Sequence, residues 1–343
     1  MLRAMDSGVA GLRAHQNKLD VISNNIANVN TFGFKAQTYS FKDTMYQTTV
    51  ASAGGKVDEG IESTGGMNAS QYGYGSLTGS IATDFTSSTP TYIGGFSACV
   101  NGPGFFITYS TNTSTKDDDK GVDVLSDNSK QTTTNMKANN FSYTRVGQFM
   151  VDSEGYIVDS NGNFVYGFRP SSLVDPQYYG NTDGGTTKTL YALRAPSIAD
   201  DAKVEDITKS DYSPTWTGEA TQLKSVEIGN DGKISAIIDV GGQETSIIIG
   251  KVAIASFQNQ GGLTKAGNNT FNAKTGDNTG LVSATVPGDG STPGLMAGYV
   301  EGSNTDLAKE FSDMITTQRG FQANSKIITV SDEILQELVN MKR

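Results

Sequence analysis

The chain has 343 residues, of which 36% are hydrophobic and 18% are charged, and its formal net charge is −10. This acidic balance argues against a nucleic-acid-binding surface, which needs clustered Lys and Arg to displace counterions. A single cysteine, Cys99, excludes an internal disulfide framework, and a single histidine, His15, removes most zinc sites and catalytic triads.

The amino-terminal segment has the periodicity of an amphipathic helix. Its apolar residues recur every three or four positions, close to a heptad spacing; they are Leu2, Met5, Val9, Leu12, Leu19 and Ile26. Asparagines crowd the last turns at Asn24, Asn25, Asn28 and Asn30, although Asn prefers caps and turns. Gly33 predicts the end of the helix.

No signal for membrane insertion accompanies this helix. No apolar run approaches the roughly 20 residues that a bilayer-spanning helix needs. Charged residues interrupt the stretch where a signal peptide would have its apolar core, so we expect no cleaved signal peptide.

The middle of the chain changes to an alternating, strand-like pattern. Residues 33–75 are expected to form an extended linker, and residues 76–168 plus 223–302 a β-rich domain. Hairpin turns are predicted at "DSEG" (152–155), "DSNG" (159–162) and Asp231-Gly232, and a central strand within 245–257. A polar excursion at 109–140 and a small outer insertion at 169–222 are expected to interrupt this domain.

A second long helix is predicted after "SNTD" (303–306). Its apolar ladder is Leu307, Phe311, Met314, Phe321, Ile328 and Leu335, and Ile315, Ile334, Leu338 and Met341 widen the stripe. Narrow stripes of this kind suit contact between helices better than burial in a large core. The alternative is that the two terminal helices pack on one ordinary domain.

The expected fold class is therefore mixed: a mainly antiparallel β middle, with amino- and carboxyl-terminal α-helices that pair as a coiled-coil-like inner domain. That inner domain would comprise residues 1–32 plus 303–343.

No combination of residues indicates an enzyme, a cofactor site or a metal site. Asp117, Asp118 and Asp119 lack the spacing of an EF-hand, and "GNDGKIS" (229–235) lacks the spacing of a phosphate-binding loop. Cys99 alternates with apolar neighbours, as in a buried strand, and His15 has no acidic partner three or four residues away. Nothing assembles a nucleophile, a base and an oxyanion site.

Five sequence blocks, in order, resemble the bacterial flagellar axial proteins, the family of rod and hook subunits. They are "LDVISNNIANVNTFGFK" (19–35), "GPGFF" (102–106), "YTRVGQF" (143–149), "GYVEGSNTDLAKEFSDMITTQRGFQANSKII" (298–328) and "VSDEILQELVN" (330–340). Residues 109–140 and 169–222 have no counterpart in this resemblance.

The resemblance implies that the terminal helices pack against those of neighbouring copies and form the wall of a hollow tube. The residues expected at this assembly interface are Leu12, Leu19, Ile22, Asn24, Asn25, Ile26, Asn28, Leu307, Phe311, Met314, Phe321, Ile328 and Leu335. It also implies export by the flagellar type III apparatus to an extracellular position in the hook or basal body. The implied partners are further copies of the chain, the distal rod protein, the hook cap and the hook–filament junction proteins, with no nucleic acid and no membrane.

Within the family, residues 317–343 resemble hook subunits more than rod subunits. That resemblance predicts a curved, flexible coupling that transmits torque from rod to filament. The distal rod protein is the alternative, because residues 46–75 are comparable to a stretch found in rod subunits and in some hooks. A third possibility of a different class is a secreted β-rich adhesin with a helical, oligomerising stalk.

Overall fold

A computed structural model describes residues 2–54, 56–58, 61–109, 122–125, 130–153, 155–169, 187–195, 221–240, 243–288 and 292–341. Within them the chain divides into two compact units. Unit 1 comprises Met1–Val29, Ala36–Asp84 and Thr305–Arg343, and unit 2 comprises Asn30–Lys35 and Phe85–Asn304.

The helices and strands follow the predicted order, with helices at both ends and strands between them. The helices are α1 (Leu2–Ala27), α2 (Lys130–Ala138) and α3 (Leu307–Met341), with a 3-10 turn at Gln260–Gly262. The strands of unit 1 are β1 (Gln37–Asp43), β2 (Tyr46–Val50), β3 (Lys56–Asp58), β4 (Ile61–Thr64), β5 (Ser70–Gly73) and β6 (Ser76–Thr83). The strands of unit 2 are β7 (Pro90–Tyr92), β8 (Ala98–Val100), β9 (Phe105–Tyr109), β10 (Val122–Leu125), β11 (Ser142–Thr144), β12 (Phe149–Val151), β13 (Ile157–Asp159), β14 (Phe164–Phe168), β15 (Thr187–Ala192), β16 (Thr221–Ile228), β17 (Lys233–Val240), β18 (Gln243–Val252), β19 (Ile254–Phe257), β20 (Thr264–Gly267), β21 (Thr270–Asn272), β22 (Val282–Thr285), β23 (Leu295–Ala297) and β24 (Tyr299–Glu301).

In unit 1, α1 and α3 pack against each other in antiparallel directions. Gly8 lies against Ile328, and Gly11 lies against Asn324. Further along, Lys18 forms an ion pair with Asp313 at 3.9 Å. The helices therefore pair along most of α1, although coiled-coil packing of the predicted ladders stays a prediction.

The expected linker at 33–75 is instead most of a long antiparallel β ribbon. β1 pairs with β6, β2 with β5, and β3 with β4, and an isolated bridge joins Ala53 to Met67. The segment is extended, as expected, but its two arms are hydrogen-bonded to each other and therefore form a long hairpin. Many apolar residues of the ribbon are exposed, among them Met45, Tyr46, Met67 and Tyr72.

Unit 2 is built on an antiparallel sheet, as expected for the β-rich middle. One path through this sheet runs β16-β17-β18-β14-β9-β11-β21-β20, and β8 pairs with β23 and β7 with β24. The predicted central strand within 245–257 corresponds to β18 and β19. Two buried apolar clusters form the core, one around Phe106 and Ile247 and the other around Phe105 and Tyr143.

The three predicted hairpin turns are present. Gly155, Gly162 and Gly232 have positive φ values of 85°, 77° and 74°. This region of backbone conformation is accessible to glycine at little cost. The turns join β12 to β13, β13 to β14, and β16 to β17.

The expectation of an exposed polar excursion at 109–140 is wrong for its described parts. Residues 130–138 form α2, whose Met136 is fully buried in the second core cluster. Lys137 of the same helix pairs with Asp277 at 2.8 Å. β10 also falls within this range and pairs with β15. The polar composition of the segment predicts a loop. A short helix forms instead, because one buried methionine is enough to anchor it although its other residues are mostly polar.

The expected outer insertion at 169–222 also contributes to the sheet. β15 pairs with β14, and both Leu190 and Leu193 are buried. Residues 170–186 and 196–220, including Trp216, lie outside the described residues.

Candidate assembly surface

The face of α1 that contacts α3 is displaced by one residue from the predicted ladder. The buried residues of α1 are Gly8, Gly11, Ala14, Val21, Ile22 and Asn25. Small residues occupy the first half of this face, which lets the two helix backbones approach closely. A Cβ atom at Gly11 would lie 2.9 Å from Asn324 Nδ2, so a side chain there would have to displace the Asn324 side chain. The large residues Val9, Leu12, Leu19 and Ile26 lie at the edge of the contact and are partly or largely exposed.

The contact face of α3 agrees better with its predicted ladder. Met314, Phe321, Ile328 and Leu335 are half-buried, and Thr317 and Ser331 between them are buried. Leu307 and Phe311, by contrast, are 40% and 50% exposed. The amino-terminal end of the ladder therefore has no cover within the described part of unit 1.

Two exposed apolar patches lie on α3. The amino-terminal patch is Leu307, Phe311 and Ile315, and the carboxyl-terminal patch is Ile327, Val330, Ile334, Leu338 and Met341. Successive residues of a helix are rotated by about 100°. On that geometry the two patches lie roughly 110° to either side of the face that contacts α1. They therefore occupy opposite flanks and opposite halves of one helix.

The asparagines at the end of α1 have different roles. Asn25 is 1% exposed and bonds within unit 1: its Nδ2 donates to Gln37 O at 2.8 Å and to Glu310 Oε1 at 3.1 Å, and its Oδ1 accepts from Gln37 N at 2.9 Å. Asn28 donates locally to Asn24 O and Oδ1, both at 2.9 Å. Asn25 thus joins the end of α1 to β1 and α3, and Asn24 and Asn28 close the last helical turn.

Two titratable groups in the contact between the helices have shifted pKa values. Partial burial raises the pKa of Glu310, although the Asn25 side chain donates to its carboxylate. Partial burial and the nearby Lys18 ammonium lower the pKa of His15. The His15 ring lies against Gly320, where a Cβ atom would come within 2.7 Å of Cε1. Both shifts favour the neutral form of a group in the helix contact.

The predicted interface residues thus fall into three groups. Ile22 and Asn25 are buried within unit 1 and bond or pack against their own chain. The half-buried group is Leu12, Leu19, Ile26, Asn28, Met314, Phe321, Ile328 and Leu335. The exposed group is Asn24, Leu307 and Phe311. Contact of the last two groups with a neighbouring copy stays a prediction.

The stripe predicted from the sequence lacks two residues of the carboxyl-terminal patch, Ile327 and Val330. Both are exposed, and they continue at spacings of three or four to Ile334, Leu338 and Met341, which the predicted stripe includes. This second 3–4 ladder on the same helix is the signal that could have identified them.

Among the described residues, no group of three or more His, Cys, Asp or Glu side chains is placed to hold a metal ion. No helix in this part of the chain has the length and apolarity needed to cross a membrane. The exposed apolar surface of α3 is the candidate site of contact with another molecule.

Three family descriptions match successive parts of the chain. Residues 5–35, which include the end of α1 and its asparagines, match "Flagella basal body rod protein". Residues 133–236 match "Flagellar hook protein FlgE/F/G D1 domain", and residues 296–341 match "Flagellar basal body rod FlgEFG protein C-terminal".

Individual relatives match along the whole length. A flagellar basal-body rod protein, FlgG of Bacillus subtilis, is 36% identical over 347 residues that cover 100% of both chains. The flagellar hook protein FlgE of Borreliella burgdorferi is 27% identical over 481 residues, again covering 100% of both chains. FlgG of Caulobacter vibrioides is 26% identical and covers 98% of this chain and 97% of its own.

Proposed function

Because the chain belongs to the flagellar rod and hook protein family, whose members are structural proteins and not enzymes, we propose that it is an axial subunit that polymerises with copies of itself. The observation that carries this proposal is the pair of uncovered apolar patches on α3. Contiguous apolar surface of this kind on a folded chain marks a contact with another molecule.

The positions of the two patches favour an open-ended polymer over a closed dimer. In a two-fold symmetric dimer the same patch of each copy meets itself. Two different patches on opposite flanks of one helix allow each copy to contact one neighbour through Phe311 and another through Ile334. Contacts of this heterologous kind generate rings or helical filaments.

Among the axial structures, the rod is the first candidate. The FlgG relative has the higher identity and aligns over 347 residues, close to the 343 residues of this chain. The FlgE alignment extends over 481 residues, so that hook protein carries long stretches without a counterpart here. This order reverses the preference for the hook that the carboxyl-terminal block suggested.

The hook is the second candidate, because FlgE relatives of Borreliella burgdorferi and Treponema pallidum both match across the entire chain. In either position we propose export by the flagellar type III apparatus and assembly outside the cytoplasm. Contact with the distal rod protein, hook cap and hook–filament junction proteins belongs to the same proposal.

The proposal is tested by charged substitutions in each patch. Phe311→Asp and Ile334→Asp are made separately in a bacterium that lacks its own copy of the gene. Each should leave the circular dichroism of the purified monomer unchanged, because both side chains are largely exposed. Each should prevent polymers from forming, because an unpaired charge in a desolvated contact costs several kcal/mol or more.

Lys326→Asp is the control, since it places the same negative charge on an exposed position of α3 that faces away from α1 and lies between the two flanks. Normal polymers built from both patch variants would refute the proposed assembly. Immunogold labelling of isolated hook–basal bodies then separates the two positions, since a rod subunit is labelled below the hook and a hook subunit along it.

A further inference from the structure

Three charged residues from three separate sequence blocks meet inside unit 2. Lys35 ends the first block, Arg145 lies in "YTRVGQF", and Glu301 lies in "GYVEGSNTD". Lys35 Nζ is 2.8 Å from Glu301 Oε1, and Arg145 Nε is 2.9 Å from Glu301 Oε2. Their side chains are at most 2% exposed. We refer to these three residues as the Glu301 cluster.

The cluster carries two positive charges and one negative charge. Backbone carbonyl oxygens accept further hydrogen bonds from the two cationic side chains. Lys35 Nζ also donates to Thr86 O at 2.8 Å, and one Arg145 Nη donates to the carbonyls of Gly102 and Gly104, both at 2.6 Å. The glycine carbonyls belong to "GPGFF", so a fourth block of the resemblance contributes to the same cluster. Cys99 nearby stays a neutral thiol, because burial and the Glu301 carboxylate raise its pKa to about 11.

Glu301 also bonds the backbone of the segments at which the chain passes between the units. The chain crosses between residues 29 and 30, 35 and 36, 84 and 85, and 304 and 305. On the unit 2 side of these crossings, Gly33 N donates to Glu301 O at 2.8 Å, and Ser88 N donates to Glu301 Oε1 at 3.1 Å. One residue thus connects segments 30–35, 85–88 and 301–304.

We propose that Glu301 is a positioning residue that makes these three crossing segments resist force together. Force applied to any one of these segments is transmitted through the buried ion pairs to the β core of unit 2. A single segment therefore does not detach before the others. This inference deepens the proposed function, because an axial subunit of a rotating structure carries torque along its chain crossings.

Hydrogen exchange on the purified monomer tests the proposal first. Glu301→Gln removes the one negative charge and leaves Lys35 and Arg145 as unbalanced neighbours. Because uncompensated buried charges are costly, the amides of Gly33 and Ser88 should exchange about tenfold faster or more. Amides in β17 should keep their wild-type rates. Unchanged rates at Gly33 and Ser88, or an equal increase throughout unit 2, would overturn the proposal.

Two further variants keep the test decisive. Lys35→Met leaves Glu301 and Arg145 paired one to one. It should accelerate hydrogen exchange of the amides in 30–35 and leave the rate at Ser88 unchanged. If Glu301→Gln fails to fold, the exchange rates of Lys35→Met test the proposal in its place. Glu244→Gln removes an exposed carboxylate that pairs with Lys224, and it should leave all of these amides unchanged.

Single-molecule pulling separates force resistance from ordinary stability. Handles attached through Val29→Cys and Thr305→Cys apply force at two of the crossings, and the buried Cys99 thiol does not compete for labelling. The unfolding force of unit 2 should fall in Glu301→Gln and stay near wild type in Met136→Ala, which weakens the core elsewhere. Forces that simply follow thermal stability in both variants would refute the role of Glu301. Both experiments use the monomer, so they are independent of whether the chain polymerises.

Discussion

The side-chain amide of Asn25 bonds the backbone of Gln37 in both directions, donating to its carbonyl at 2.8 Å and accepting from its N–H at 2.9 Å. This pairing imitates the way that one β-strand bonds to the next. It fixes the end of α1 to the start of the β ribbon, and a third bond from Asn25 reaches Glu310 on α3. An asparagine in a helical turn is therefore explained by partners 12 and 285 residues away.

Asn25→Ala should destabilise unit 1. The substitution leaves the partly buried Gln37 N–H and carbonyl without the Asn25 side chain, and a full loss of pairing at a buried group would cost about 1–3 kcal/mol. Urea unfolding of the monomer, followed by the helical circular dichroism signal, measures the loss. Ser23→Ala is the control, because this exposed residue of the same helical turn should change stability by no more than about 0.5 kcal/mol. Equal effects of the two substitutions would contradict the assigned role of Asn25.

Glu310→Gln should stabilise unit 1 at neutral pH. Burial raises the pKa of Glu310 in the folded state, so the native chain binds a proton more readily than the unfolded chain does. The stabilisation from this proton is fully present below the unfolded pKa of about 4.5 and is lost as pH rises through the folded value. Glutamine keeps an acceptor for Asn25 without the charge. The urea midpoints of wild type and variant should therefore differ at pH 7 and converge near pH 4.5. A difference that stays constant with pH would contradict a raised pKa of Glu310 as its cause.

His15→Gln should remove a loss of stability on acidification. The folded pKa of His15 is lowered, so the stability contributed by its neutral form is present above the unfolded value of about 6.5. That contribution is lost as pH falls through the folded pKa, when a charge must form in the helix contact beside Lys18. Because this is the one histidine of the chain, its ring resonances report the titration directly by NMR. A measured pKa at or above 6.5 would rule out this account.

Met136→Ala should destabilise unit 2 by about 2–5 kcal/mol, the usual cost of truncating a fully buried methionine. Met136 anchors α2 in the core, so helix and core should loosen together. Thermal unfolding monitored by near-UV circular dichroism measures the effect, since Phe141 and Tyr143 belong to the same cluster. Asn139→Ala, at an exposed position just after α2, serves as the control. A Met136→Ala variant as stable as the wild type would show that this side chain does not anchor α2.

Local features of the fold could be predicted from the sequence because their causes lie within a few residues. The 3–4 spacing of apolar residues identified α1 and α3, and alternation identified strands such as β14 and β17. The turns at Gly155, Gly162 and Gly232 followed from the positive φ that glycine accepts readily. The five ordered blocks also identified the family, which the full-length match to FlgG confirms.

The face of α1 that packs, by contrast, was decided by tertiary structure. Periodicity assumes that the largest apolar residues make the contact, but Gly8 and Gly11 let α3 come so close that a neighbouring face is buried instead. Met136, Asn25 and Glu301 likewise act through partners distant in the sequence, and a buried polar or isolated apolar residue carries no local signal of such a partner. Which residues remain exposed on α3, and are thus free to meet another copy, could be known only after α1 had taken its place.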